Sequence, residues 1–75
     1  MSTKLGDYVK ERRLEMSMSQ KDFGDWVGVS YVTINAVENH HTCGLKTLRL
    51  IADKLEVLPQ DLRAMMERES DEDNE

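Results

Sequence analysis

The sequence predicts an all-α domain, a compact bundle of five short helices. Three observations predict it. Apolar residues recur three and four positions apart, the spacing of one helical face: Phe23 with Val27, Ile34 with Val37, and Leu48, Ile51, Ala52 and Leu55. Residues with helix-start chemistry precede the stripes, Ser19 and Ser30 as caps and Pro59 as a first-turn residue. A glycine, Gly28, stands where one stripe stops. The 75 residues make one small domain. A chain of this size buries roughly 60% of its unfolded surface, a marginal core for which self-association is an expected supplement.

Residues 1–4 read as a frayed end. The first helix runs from Leu5 to about Glu15, with Leu5, Val9 and the methylenes of Arg12 on one side. Leu14, Met16 and Met18 extend an apolar seam into the following turn, where methionines fill irregular gaps. The second helix opens at Ser19, and Asp22 three residues on completes a capping box. Gly24 lies inside that helix, where glycine costs roughly 1 kcal/mol relative to alanine. Its presence predicts another helix crossing too closely for a larger side chain. Gly28 suits a left-handed turn. Ser30 then caps a third helix. Ile34 and Val37 face inward, and Tyr31, Val32, Asn35 and Asn39 face away.

The stretch HHTCGL, 40–45, reads as a loop. A fourth helix follows over 46–55, and Glu56-Val57 turns the chain. Pro59 opens the fifth helix, whose apolar side is Leu62, Met65 and Met66. Residues 70–75, SDEDNE, hold no apolar residue and are expected to form a disordered acidic tail. The domain is therefore set at 1–69.

Charge and composition bound the function. Net charge is −5, from ten Lys and Arg against fifteen Asp and Glu. Asp71, Glu72, Asp73 and Glu75 carry four of those acids, so residues 1–69 hold ten bases against eleven acids, a net of −1. Nucleic-acid binders are usually basic. A near-neutral body leaves DNA binding to depend on how its cations gather on one face. The single cysteine, Cys43, excludes an intramolecular disulfide and leaves only crosslinking between chains. Nothing resembles a signal peptide and no apolar run can span a membrane, so a reducing cytoplasm is the expected setting. His40, His41 and Cys43 form one cluster, whereas structural zinc takes four ligands drawn from two places. No metal or cofactor is expected. Without a glycine-rich phosphate loop or a metal site, no enzyme is expected either.

Many of these residues stand at fixed offsets that together resemble one family. They are Arg13, Ser19-Gln20, Phe23-Gly24, Gly28-Val29-Ser30, Thr33-Ile34 and Val37-Glu38, followed by Thr47-Leu48, Ile51-Ala52, Leu55 and Val57. From about Leu5 to Leu62 the chain resembles the lambdoid phage repressors and Cro proteins, the XRE-type regulators, with the helix-turn-helix at 19–39. In size it is similar to the controller proteins of restriction–modification systems. The resemblance implies a lambda-repressor-like domain that binds double-stranded DNA. Its third helix, about 30–39, enters the major groove, and a homodimer sits on a two-fold operator. It implies that Gln20 donates to phosphate and supports the recognition helix, and that Ser30 also meets phosphate. Base readers fall at Tyr31, Val32, Asn35 and Ala36, with Thr33 between the reading face and the core. It implies too that Asn39 and the following loop touch the DNA backbone and that Arg13 lies near phosphate; among the few cations, Lys21, Lys46 and Lys10 are the further phosphate candidates. Arg13 and Glu38 match an ion pair that links the first and third helices. By analogy with the controller proteins, Leu58, Leu62, Met65 and Met66 are dimer-interface candidates, with the core as the alternative claimant for some of them.

The chain departs from its relatives in one respect. Residues 30–45 contain no Lys or Arg. Asn35 suits adenine, while Val32 and Ala36 suit thymine methyls. Such a face predicts an A·T-rich site, read partly through shape. It also predicts a shallow salt dependence and weak monomer binding. The rival expectation is a protein-interaction module of the same fold, an antirepressor or phage regulatory factor. The uncharged third helix, the aromatics Tyr8, Trp26 and Tyr31, and the acidic tail motivate it, with Trp26 or the tail as the contact.

Overall fold

The computed structural model describes residues 4–73, with side chains to residue 66, as five helices. They are α1 (Leu5–Glu15), α2 (Gln20–Val27), α3 (Tyr31–His40), α4 (Leu45–Leu55) and α5 (Pro59–Asp73). No strand occurs among the described residues. Helices of this length are marginal alone and depend on burying an apolar face. Each contributes to one core: Leu5 and Val9 from α1, Phe23 and Val27 from α2, Ile34 and Val37 from α3, Leu48, Ile51, Ala52 and Leu55 from α4, and Leu62 from α5. Helix α3 packs on α1 and α2, while α5 packs mainly on α4.

Four departures from the sequence expectations have physical reasons. Leu14 does not join the Met16–Met18 seam; it is 56% exposed. At 100° per residue it lies about 140° round α1 from Val9. The inward position after Leu5 and Val9 belongs to Arg13. Gly24 answers to a turn and not to a crossing helix. A Cβ there would lie 2.7 Å from the Val29 carbonyl oxygen, in the segment leading into α3.

The close helix crossing is at Gly6. A Cβ there would lie 2.5 Å from the Glu38 carbonyl oxygen and 2.7 Å from that of Val37. The last turn of α3 thus rests directly on the backbone of α1. Finally, α4 starts at Leu45, one residue early. Its N-cap, Gly44, supplies no side-chain bond.

Three helices end on left-handed residues of two kinds. Helix α2 stops at Gly28, φ 104°, whose N–H donates to the Gly24 carbonyl. Helices α3 and α4 stop at His41 and Glu56, left-handed residues with side chains, at φ 60° and 59°. The sequence does not punctuate those ends with glycine. The backbone of α5 is helical to Asp73, overlapping the 70–75 segment assigned to an acidic tail. The side chains of that segment, and Asn74 and Glu75 altogether, lie outside the described residues.

Candidate nucleic-acid interface

The geometry of the α2–α3 unit is set by its caps. The Ser19 hydroxyl accepts from the Asp22 N–H at 3.0 Å, and the Asp22 carboxylate accepts from the Ser19 N–H at 3.5 Å. Only Gly28, Val29 and Ser30 separate α2 from α3. Both the Gly28 and Val29 N–H groups donate to the Gly24 carbonyl, at 2.7 and 2.8 Å. The Ser30 hydroxyl accepts from the Thr33 N–H at 3.3 Å and lies 3.2 Å from the Thr33 hydroxyl. The turn is thereby closed on the backbone of α2, and the angle between the helices is fixed.

That angle leaves one face of α3 open. Ile34 and Val37 are buried in the core. Tyr31 and Val32 are 55% and 60% exposed. Asn35 and Asn39 are also exposed, while Thr33 and Ala36 are half-buried at its margins. Lys21 is exposed in the first turn of α2, and Lys46 in the first turn of α4.

Beneath this face runs a chain of polar contacts. Arg13 Nε donates to Glu38 Oε2 at 2.8 Å and Arg13 Nη2 to Glu38 Oε1 at 3.2 Å, a two-pronged ion pair. Arg13 Nη1 donates to the Met18 carbonyl at 3.0 Å. The two side chains are only 11% and 5% exposed. Arg13 is therefore a brace joining α1, the α1–α2 turn and α3. From Glu38 the chain moves outward. Gln20 Nε2 donates to Glu38 Oε1 at 3.1 Å. Asn35 Nδ2 donates to Gln20 Oε1 at 3.2 Å, and Asn39 Nδ2 donates to Asn35 Oδ1 at 2.9 Å.

Elsewhere the structure sorts the remaining candidates. Leu62 is 0% exposed and belongs to the core, so it is unavailable to a dimer interface. An apolar stripe serves either purpose, and spacing alone does not separate them. Leu58 is 57% exposed. Met65 and Met66 are half-buried, and the Thr42 hydroxyl donates to the Met66 sulfur at 3.5 Å. Trp26 is half-buried, its ring tilted against Phe23 at 5.6 Å between centroids, with the Lys54 ammonium 5.8 Å from its own centroid. It roofs the core as much as it faces outward. Tyr8 is half-buried beside Arg12. Among the described residues no three His, Cys, Asp or Glu side chains gather as metal ligands. Burial pushes the Cys43 thiol up from its ordinary value, which lowers its thiolate fraction and reactivity.

Two features escape sequence reasoning. Gly6 looks like an ordinary first-turn residue, and only the path of α3 explains it. The Gln20–Asn35–Asn39 chain joins two helices. Its one sequence signal is the four-residue spacing of Asn35 and Asn39.

A capped helix, a tight glycine turn and a second capped helix with one open face define a helix-turn-helix domain. The chain belongs to the XRE-type helix-turn-helix family, HTH_3, a family of DNA-binding regulators that matches it over residues 9–62. No curated protein and no solved structure matches the chain. No helix among the described residues is long and apolar enough to cross a membrane.

Proposed function

We propose that the domain is a sequence-specific repressor that places α3 in the major groove, acting in the cytoplasm as a homodimer on a two-fold operator. The observation that supports this reading is the open face of α3. Tyr31, Val32, Asn35 and Ala36 stand toward base edges, with Thr33 at the margin. A groove about 12 Å wide admits such a helix. Gln20, Lys21, Ser30, Asn39 and Lys46 are the phosphate partners, and the capped N-termini of α2 and α3 add favourable dipoles. Arg13 holds Glu38 and, as in the family, lies near a phosphate. Leu58, Met65 and Met66 form the dimer contact, which places half-sites about one helical turn, roughly 34 Å, apart.

Selection from random duplex DNA, at low and moderate salt, tests the proposal. The expected result is an enriched two-fold motif, A·T-rich within each half-site. Asn35→Ala is expected to relax one base pair per half-site by about 1–3 kcal/mol, the worth of one bidentate contact. Each neutralised phosphate contributes about −0.9 to the slope of log affinity against log salt, so a face with few cations gives a shallow slope. No enrichment from folded protein would overturn the proposal in favour of a protein-interaction module, and the Trp26 surface would be tested next.

A further inference from the structure

We infer that Glu38, acting through Gln20, fixes the direction in which Asn35 presents its amide, and so sets the base preference at a position that neither Glu38 nor Gln20 touches. The inference rests on the proposed role of Asn35 as a base reader.

It follows from counting donors and acceptors. A side-chain amide has two ends of nearly equal shape, one a donor and one an acceptor, so its direction is set by its partners. A chain of amides can in principle run either way. Here one end is tied to a carboxylate, which only accepts. Glu38 is itself held by the Arg13 guanidinium at 2.8 and 3.2 Å. Gln20 must therefore turn its NH2 toward Glu38, 3.1 Å away, and its carbonyl outward. Asn35 must then turn its NH2 toward Gln20 Oε1, 3.2 Å away. Its carbonyl is left to accept from Asn39, 2.9 Å away. One buried charge sets the direction of three consecutive amides.

The remaining valences are those a base reader needs. An amide carries two N–H groups and two carbonyl lone pairs. Asn35 uses one of each within the chain and keeps one of each. A donor beside an acceptor matches the N7 and N6 groups of adenine. Guanine offers two acceptors at that edge, and cytosine offers a donor alone. Gln20 keeps one N–H, which suits a phosphate oxygen. The chain thus separates two tasks: Gln20 anchors and Asn35 reads. Without the tie to Glu38, the Asn35 amide can turn over and must be immobilised on binding. Fixing one such side chain is worth about two- to tenfold in affinity for the matched base.

The substitution that tests this is Gln20→Met. It keeps the side-chain length and the helix propensity of the α2 first turn, and it leaves the Arg13–Glu38 pair intact. A change at Glu38 breaks that pair and threatens the fold. Two measurements are made on the full chain. In the free protein, NMR follows the side-chain amides of Asn35 and Asn39. The expected result is one hydrogen-bonded proton in each NH2 group of the original protein, with Asn35 losing that distinction in Gln20→Met. Unchanged Asn35 amide signals would overturn the relay without reference to DNA.

Selection from random duplex DNA then compares the original chain, Gln20→Met and Asn35→Ala. Gln20→Met is expected to weaken every sequence somewhat. In addition it should cut the adenine preference at the Asn35 position by about two- to tenfold, other positions keeping theirs. A uniform loss with the motif intact would reduce Gln20 to a phosphate contact and overturn the inference, while the DNA-reading proposal stands. A motif that survives Asn35→Ala unchanged overturns Asn35 as a base reader, and the inference with it, while the DNA-reading proposal stands; no motif at all overturns that proposal and the inference together.

Discussion

The part of the domain before the loop at 41–44 and the part after it are held together by different means. Helices α1, α2 and α3 are joined by directional contacts. These are the Ser19–Asp22 capping box, the turn closed on Gly24, the Gly6 crossing and the Arg13–Glu38 pair. Helices α4 and α5 contribute Leu48, Ile51, Ala52, Leu55 and Leu62 to the core, and α4 begins at a glycine without a side-chain cap. Apolar burial is large but non-directional. It supplies stability without fixing angles to a fraction of an ångström. Hydrogen bonds and close backbone approaches fix angles while contributing less net energy each. The difference teaches where geometry is fixed: these directional contacts set the attitude of α3 against α1 and α2.

The largest effect should come from the ion pair. Removing one partner of a buried pair leaves the other charge uncompensated, at a cost of about 3–5 kcal/mol. Arg13→Ala or Glu38→Ala is therefore expected to take most of the stability of a domain that has roughly 4–11 kcal/mol in total. Urea unfolding measures it. Replacing both, as Arg13→Met with Glu38→Met, is expected to recover much of that loss, because two unsolvated charges leave together. If the double variant is as unstable as the worse single one, the pair's role is packing, and directional bracing of α3 through it fails.

The two glycines come next. Gly6→Ala and Gly24→Ala each drive a methyl group against carbonyl oxygens, at 2.5–2.7 Å, and those oxygens belong to backbone that cannot swing away. Overpacking of this kind costs about 1–3 kcal/mol. The comparison sharpens if the two differ in kind. Gly6→Ala is expected to shift α3 against α1, and Gly24→Ala to open the turn. Amide chemical-shift changes should centre on Val37 and Glu38 in the first and on Val29 and Ser30 in the second. Wild-type stability in either variant would show that the crossing gives way freely.

These positions also show what the sequence carries and what it withholds. All five helices were legible, because stripe spacing and the caps Ser19, Ser30 and Pro59 are local signals. Phe23, Ile34 and Ile51 were legible as core for the same reason. Arg13 and Glu38 were matched through the family resemblance; the structure joins them at 2.8 Å. The sequence shows Gly24 as crowded but not by what, since local cost reveals crowding and not its source, here the Val29–Ser30 turn. Gly6 was silent because its reason lies in the last turn of α3, far along the chain. Leu14 misled because apolar character was weighed without its angle on α1. Leu62 stays open between core and interface in the sequence, because the two kinds of stripe have the same spacing; its burial assigns it to the core. The sequence shows Asn35 only as an isolated adenine partner. Its tie to Gln20 and Glu38 exists only once α2 and α3 are packed.

The smallest effect is the cleanest probe of the second region. Gly44 caps α4 at φ −69°, ψ 161°, a conformation open to any residue, and nothing stands within 4 Å of a Cβ placed there. Gly44→Ser adds the missing side-chain acceptor for α4, worth a few tenths of a kcal/mol over glycine. It also removes backbone freedom from the unfolded chain, which stabilises by about 0.4–1 kcal/mol at a compatible site. The sum, roughly 0.7–1.3 kcal/mol, should raise the melting temperature by about 3–10 °C. Because α4 contributes stability and not the attitude of α3, base preference in the selection experiment should not move. A gain in stability with an altered motif would mean that α4 also sets the angle of the reading helix. The division between a directional half and an apolar half would then have to be redrawn around the α2–α4 contact.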